Sequence, residues 1–430
     1  MLVEFTVTNY KSIAAPQKLS LVPGKSSSGK PDRSAPTGNS LAGHALRSAV
    51  ILGANGSGKS NFMAAVDFFS TFVERSAKDS SVGDTIDVVP FKLSGATRAA
   101  PAEFEAIFVH EDALFQYGFA VDNRRVREEW LFSRPNEPGR RMRTLFRRAF
   151  DEDTGDYAWD INDVHVKGDR ETWRKATRDN ALFLSTAVQL NSSSLKAPYI
   201  WITEYLRTLP PPDRVSPDFS AHRCRDGKGR RDILKFLKSA DLGIADIAVE
   251  EQPLVIPQEL EKGLSDTELR ELREHIGKSK VLKTSTFHTS AEKEKVRFDL
   301  EEESAGTQVL FALAGIWLDV LETGYTLFVD ELNNSLHPFA LKYLIEMFHD
   351  PAINPKGAQL VFTAHDATVI SGQLMHKDQI WFMELNENSA THLFPLSDFD
   401  VRDTEAFARG YLNGRFGGLP RITEFDFGEE

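Results

Sequence analysis

The sequence is poor in the residues that staple or anchor a chain. Its 430 residues include one cysteine, Cys224. A single thiol excludes an internal disulfide framework and a cysteine-built zinc site, and it suits a reducing cytoplasm. Long apolar runs are missing. The most apolar stretch, Val309 to Leu321, has 13 residues with Asp319 inside it, short of the ~20 that cross a bilayer. The opening MLVEFTVTNY carries an acid and polar groups and lacks a signal-peptide core. Positive charge is in the minority, with 51 Lys plus Arg against 63 Asp plus Glu and a net charge of −12. So acidic a surface argues against a nucleic-acid coat, though not against a local basic groove. Hydrophobic residues make up 41% and charged residues 27%, enough for a sizeable core. A soluble cytoplasmic protein with no membrane segment is expected.

Periodicity divides the chain into three segments, 1–165, 166–298 and 299–430. In the first, Val3, Phe5 and Val7 alternate with polar residues as in a strand. Residues 23–44, rich in Ser, Gly, Pro and Lys, read as a flexible loop. Ala49 to Leu52 is a short apolar run. A helix follows it through Phe62, Val66, Phe69 and Phe72. Residues 102–132 predict three antiparallel strands. The middle segment reads as mainly helical and is interrupted by Pro210, Pro211 and Pro212. One helix is expected over 259–276, with Leu269, Leu272 and Ile276 on one face. In the last segment a helix over 309–321 leads to a strand at Thr326–Val329, a helix at 339–349, and strands at Gln359–Thr363 and Gln379–Leu385. That alternation predicts a parallel sheet with crossover helices.

Gly53-Ala54-Asn55-Gly56-Ser57-Gly58-Lys59-Ser60 fits G-x-x-x-x-G-K-[ST]. Glycines let backbone N–H groups close around phosphate oxygens, and Lys59 reaches the β and γ phosphates. Ser60 offers its hydroxyl to Mg2+, and the helix start adds its dipole. Gly24 to Lys30 also fits G-x-x-x-x-G-K, but Pro31 follows, so no hydroxyl is placed for the metal and no apolar helix continues. Tyr325 to Val329 is an apolar strand that ends in Asp330 and Glu331. Beside a phosphate loop, the first acid sits by Mg2+ and the second polarises an attacking water. Ser304, Gly306 and Thr307 open the apolar helix. They read either as caps or as a site for an anion. His365 ends a further strand 34 residues after Glu331. No N-K-x-D string is present, which disfavours a guanine-specific GTPase.

The order of these segments resembles that of ABC-class ATPases. The α/β fold this implies is a P-loop NTPase, an ABC-class ATPase head with an antiparallel β lobe and a helical insertion. Val7 to Ser12, Pro90-Phe91, Glu128 to Leu131 and Tyr411 to Pro420 resemble the RloA-like AAA/ABC-type ATPases, related to the OLD, RecF and SMC proteins. The resemblance implies an ATP-sandwich homodimer or higher oligomer. In it, Ser304, Gly306 and Thr307 of one copy face the γ-phosphate held by the other. Ser335 to Pro338 then form the dimer-contact loop, His365 contacts the γ-phosphate, and Lys11 joins the nucleotide-binding residues. It also implies a role in bacterial defence beside a separate effector nuclease, RloB-like or of the Toprim type. About 65 residues follow His365, too few for a fused Toprim domain. The Leu-Ser-Gly-Gly string of transporters is absent, and Gln116, the one candidate for a glutamine loop, falls in the antiparallel strands.

Two basic stretches stand apart. One comprises Arg124, Arg125, Arg127, Arg140, Arg141, Arg143, Arg147 and Arg148; the other Arg223, Arg225, Lys228, Arg230, Arg231 and Lys235. Each reads as a solvated face, a dock for an acidic partner, or a phosphate track for nucleic acid in a RecF-like repair ATPase. A third reading is a slow-hydrolysing scaffold that dimerises on ATP.

Overall fold

The computed structural model describes residues 1–25, 27–137, 141–253, 280–370, 374–401 and 406–419. The helix expected over 259–276, together with Ser26, Arg140 and Pro420, lies outside the described residues. The chain divides into two compact units. One comprises Met1–Pro211, Val320–Asn333 and Leu341–Glu430, the other Pro212–Asp319 and Asn334–Ala340.

The larger unit holds two main sheets. Alternating apolar and polar residues build an antiparallel one, with one face buried. Its strands are β1 (Leu2–Thr8), β2 (Gln17–Ser20), β6 (Ala102–His110), β7 (Ala113–Val121), β8 (Val126–Arg134), β9 (Arg143–Asp151) and β10 (Asp156–Ile161), in the order β10-β9-β8-β7-β6-β1-β2. A hairpin of β3 (Ser34–Pro36) and β4 (His44–Leu46) lies in the segment expected to be a flexible loop. Hydrogen bonds hold that segment: Gly24 N–H donates to Asp378 at 2.9 Å and the Arg33 guanidinium to the Leu374 carbonyl at 2.8 Å. Gly24, the first residue of the second loop-like match, is therefore fixed by a carboxylate of its own chain.

Nearly continuous apolar runs build the centre of the second sheet, whose strands are β5 (Ser48–Leu52), β11 (Leu206–Leu209), β15 (Thr326–Val329), β16 (Gln359–Ala364), β17 (Ile380–Leu385) and β18 (Thr391–Pro395). The order is β11-β15-β16-β5-β17-β18, parallel except for the β17–β18 hairpin. The inner strands β5, β15 and β16 are buried on both faces. The register pairs Leu52 with Ala364 and Phe362 with Val329, so β5, β16 and β15 end close to level. Their carboxyl ends are where open α/β sheets place ligands.

The helix Lys59–Arg75 buries Phe62, Val66, Phe69 and Val73, which share one face at helical spacing. Phe5 meets Phe62 and Phe69 edge-on at 5.8 and 5.6 Å, and Phe69 stacks on Phe119 at 5.6 Å. Aromatic packing thus seats this helix on the antiparallel sheet. In the segment 166–298, β11, β12 (Ile244–Pro253) and β13 (Lys280–Thr289) accompany the helices. In the smaller unit β12 and β13 form a sheet with β14 (Lys295–Asp299). The apolar helix runs Ala305–Thr323, longer than the 13-residue apolar stretch. By length and composition alone it could cross a membrane, but 61% of its most apolar window is buried within the protein, as in a core helix.

β5 is anchored at its start by a histidine. Ser48 Oγ lies 2.7 Å from His349 Nε2 and accepts from Gln379 Nε2 at 2.8 Å. Burial holds the His349 pKa down to about 3 from an ordinary 6.5, and Arg33 lowers it further. The unfolded chain takes up a proton here as pH falls below 6.5, while the folded chain resists until about 3. Stability from this site is therefore complete above 6.5 and is lost as pH falls towards 3, with a slope of up to about 1.4 kcal/mol per pH unit. Urea unfolding at about pH 7.5 and about pH 5 should show His349→Gln losing roughly 2 kcal/mol less than wild type over that interval. Equal losses would show that the imidazole is not held neutral.

Candidate functional site

The phosphate loop connects β5 to the helix Lys59–Arg75, and its glycines have distinct reasons. A Cβ on Gly53 would lie 2.3 Å from the Met383 carbonyl oxygen on β17, and one on Gly58 would lie 2.0 Å from Thr391 Oγ1 on β18. Both positions exclude a side chain because the β17–β18 hairpin presses on the loop. Gly56 has φ +78° with open space around it, so there the backbone conformation is what favours glycine. Asn55, Gly56 and Ser60 are exposed, while Ser57 and Lys59 are buried.

The Lys59 ammonium donates to the Gly53 carbonyl at 2.7 Å and the Ala54 carbonyl at 2.9 Å. Burial lowers its pKa, and Glu331 and Asp330 act in the opposite direction. Both acids therefore bear electrostatically on the phosphate-loop lysine. Ser57 Oγ is buried with no hydrogen-bond partner among the described residues.

Thr363, near the end of β16, organises the acids. Its hydroxyl donates to Asp330 Oδ1 at 2.6 Å and accepts from the Glu331 N–H at 2.7 Å. Glu331 has φ +47°, left-handed and uncommon for glutamate. His365 Nε2 lies 3.2 Å from Asn333 Nδ2. The larger unit thus joins the phosphate loop, Asp330 and Glu331 through Lys59, and ties His365 to the loop after the acids. Lys11 lies in the turn after β1 with φ +50°; its N–H donates to the Val89 carbonyl at 2.7 Å and its Nζ sits 5.3 Å from the Tyr10 ring centroid. The next residue, Ser12, accepts from Asn61 Nδ2 at 2.8 Å, which links that turn to the phosphate-loop helix.

Ser304, Gly306 and Thr307 belong to the smaller unit. Ser304 Oγ accepts from the Thr307 N–H at 3.2 Å and lies 2.9 Å from Thr307 Oγ1, which is a helix cap. A Cβ on Gly306 would come no closer than 3.5 Å to the Ser335 carbonyl oxygen, an ordinary contact, so packing does not demand glycine there. Gln116 donates to Glu105 at 2.9 Å within the antiparallel sheet.

Six of the twelve arginines in the two basic stretches face carboxylates. Arg125 pairs with Asp179 at 3.4 Å, Arg147 with Glu128 at 3.3 Å, and Arg127 with Asp122 and Glu152. Arg148 is wholly buried against Glu129 at 2.9 Å. Arg225, Lys228 and Arg230 pair with Glu251, Asp232 and Asp246. In the sequence Thr363 is only the end of a strand, and Asn61 and Thr391 carry no role. Of these only Thr363 left a signal, as the one hydroxyl in an otherwise apolar strand end.

The family model described as "AAA domain, putative AbiEii toxin, Type IV TA system" matches residues 48–371, about three-quarters of the chain. No curated relative matches. Among solved structures, the SMC head domain from Thermotoga maritima aligns over 92% of this chain and 98% of its own, at 12% identity and a TM-score of 0.40. The recombination mediator protein RecF-ATP of the RecFOR pathway aligns over 91% and 97%, at 12% identity and a TM-score of 0.35. Likenesses of that degree decide nothing about chemistry. The family match alone spans the phosphate loop, the acidic strand end and His365, and the chain belongs to that family of AAA domains, ATPases of the AAA/ABC type.

Proposed function

We propose that this chain binds ATP with Mg2+ at the phosphate loop, hydrolyses it in a site completed by a second copy, and thereby gates a separate effector nuclease in bacterial defence. The hydrolytic reading is carried by Thr363. One hydroxyl fixes both acids on the strand beside its own, and the phosphate-loop strand lies on the other side. Backbone N–H groups of Gly53 to Gly58 cradle the phosphates, and Lys59 supplies a point charge. Lys11 adds a second positive charge from the turn that Asn61 ties to the loop.

Ser60 and Asp330 would hold the metal. Both are oxygen donors suited to a hard cation that keeps phosphate and water ligands. Ser60 is exposed, and Asp330 accepts from Thr363 through Oδ1. Bound there, Mg2+ neutralises charge on the transferred phosphoryl group. Glu331 polarises the attacking water, and His365, held by Asn333, responds to the γ-phosphate.

Ser304, Gly306 and Thr307 of a second copy face that phosphate from the other side. Two observations support association: Gly306 has no packing reason to be glycine, and Phe339, just after the Ser335–Pro338 loop, is 77% exposed. A large exposed ring is what an interface covers. The paired arginines do not favour a DNA-repair reading. The cytoplasmic setting fits the single buried thiol of Cys224. The effector and defence role rest on the resemblance of the sequence to RloA-like ATPases. Release of a partner nuclease's activity by ATP, and its silence with a Lys59→Ala ATPase, would test that role.

Glu331→Gln should keep ATP binding and slow steady-state phosphate release about 10²–10⁴-fold, because the amide preserves shape but cannot accept a proton. Unchanged turnover would remove Glu331 as the base. Lys59→Ala should abolish ATP binding, whereas Lys30→Ala should leave it intact.

Shared completion of the site has its own test. Ser304→Arg should bind ATP and fail to hydrolyse it, because the bulky side chain occupies the seam. Mixed with Lys59→Ala, it should regain part of the wild-type rate, since each mixed dimer holds one undamaged composite site. A mixture that stays inactive while both variants fold and associate would reduce Ser304 to a cap.

A further inference from the structure

We infer that Thr391 and Ser12 are positioning residues for the phosphate loop, holding the Ser57–Gly58 peptide so that the Gly58 N–H faces the nucleotide phosphates. The inference rests on the ATP reading above. Its evidence is a chain of hydrogen bonds that runs in one direction. Asn61 Nδ2 donates to Ser12 Oγ at 2.8 Å. Ser12 Oγ lies 2.8 Å from Thr391 Oγ1. Thr391 Oγ1 donates to the Ser57 carbonyl at 3.0 Å. A hydroxyl has one proton to give. Thr391 spends its proton on Ser57, so the hydroxyl between Ser12 and Thr391 must be donated by Ser12, and Ser12 in turn accepts from Asn61. Both hydroxyl protons in the chain are used, and it ends on one peptide carbonyl of the phosphate loop.

That peptide is planar and trans, so its C=O and N–H point in opposite directions. With the Ser57 carbonyl drawn back to β18, the Gly58 N–H points away from the hairpin. A peptide flip would break the Thr391 bond and is opposed by contact as well, because Gly58, at φ +103°, already packs against Thr391 Oγ1 and Ser12 Oγ. Thr391 is 2% exposed, so water does not readily replace its bond. Chained hydrogen bonds also polarise one another, which strengthens the terminal N–H as a donor. The Thr391 N–H donates to the Ser12 carbonyl at 2.8 Å, so the hairpin and the turn after β1 move as one piece.

Thr391→Val keeps the volume and removes the hydroxyl. ATP carries its phosphate charge both bound and reacting, so one misaligned N–H weakens both states alike. In calorimetric titration with ATP, Thr391→Val should bind about tenfold more weakly than wild type. In steady-state assays KM should rise by a similar factor while kcat holds, and Thr391→Ser should restore both affinity and KM. A purely structural hydroxyl would lower the melting temperature and leave this split unseen. Wild-type affinity in Thr391→Val, or no recovery in Thr391→Ser, overturns the inference. If Thr391→Val does not fold, Ser12→Ala breaks the chain one link earlier, and unchanged ATP affinity there overturns it equally. Lys59→Ala separates the two levels of the argument. If it binds ATP as wild type does, the nucleotide site itself is misassigned. If it fails to bind while Thr391→Val matches wild type, only the positioning inference falls.

Discussion

The buried amide of Gln359 joins the two sheets of the larger unit. Its Oε1 accepts from the Leu2 N–H at 2.6 Å and from Thr326 Oγ1 at 2.9 Å. Its Nε2 donates to the carbonyls of Leu2 and Leu46, each at 3.0 Å. One side chain thus meets β1 of the antiparallel sheet, β15 and β4 from the first residue of β16. Every donor and acceptor of the amide is matched, so an apolar replacement would leave several buried backbone groups unpaired, at about 1–3 kcal/mol each. Strand residues two apart share a face, which puts Gln359 and Thr363 on the same face of β16. The strand that fixes sheet on sheet at one end therefore fixes Asp330 and Glu331 at the other.

A second constraint comes from the opposite side of β5. The β17–β18 hairpin presses its backbone on Gly53 and a threonine on Gly58, so the phosphate loop is shaped from behind by residues more than 320 positions later in the chain. Beneath it, Phe5, Phe69 and Phe119 bind the following helix to the antiparallel sheet. That sheet holds a demanding element of its own, the wholly buried pair of Glu129 and Arg148. Glu129 also accepts from Tyr117 Oη at 3.0 Å and from the N–H groups of Phe183 and Leu184. A buried ion pair costs less the more of its remaining bonding capacity is filled. Arg148 Nη2 donates to the Ala181 carbonyl, while Nη1 is buried with no partner among the described residues. The Glu129 contacts fill the capacity of the carboxylate and attach the helix Phe183–Gln189 to β7 and β8.

What could be read from the sequence was local. Gly53 to Ser60, the strand running into Asp330-Glu331, and the helical spacing of Phe62, Val66 and Phe69 each carry their signal within a few residues. What escaped notice depends on distant partners. Ser12 and Thr391 are 379 residues apart in sequence, and no periodicity announces a hydroxyl that will touch a loop glycine. The segment 23–44 looked flexible because its composition is that of a loop. It is fixed by Asp378 and Leu374, which composition cannot foresee. The arginine runs leave a solvated face, an acidic partner and a phosphate track all open, because a run shows only one sign of charge. Folding brings acids across the strands to them, as with Arg147 and Glu128.

The same dependence on folding explains the state of Lys59. Two loop carbonyls satisfy its ammonium, and burial alone makes that charge unfavourable, while Asp330 and Glu331 oppose the loss. Burial thus lowers the pKa of the lysine, the two acids act against that shift, and neutral carbonyls hold the ammonium in place. An ionised phosphate oxygen is a stronger acceptor for an ammonium than a neutral peptide carbonyl. On the ATP reading proposed above, exchange of carbonyl for phosphate releases the loop carbonyls without unpairing the ammonium. Thr363 limits what the acids can do in response. Its one hydroxyl donates to the carboxylate of Asp330 and accepts from the backbone N–H of Glu331, so the first acid's side chain and the second acid's backbone are held by one group. Glu331, with its uncommon positive φ, is kept out of the strand direction by that bond. The position of the Asp330 carboxylate and the backbone of Glu331 thus both depend on a single threonine on the strand between β15 and the phosphate-loop strand.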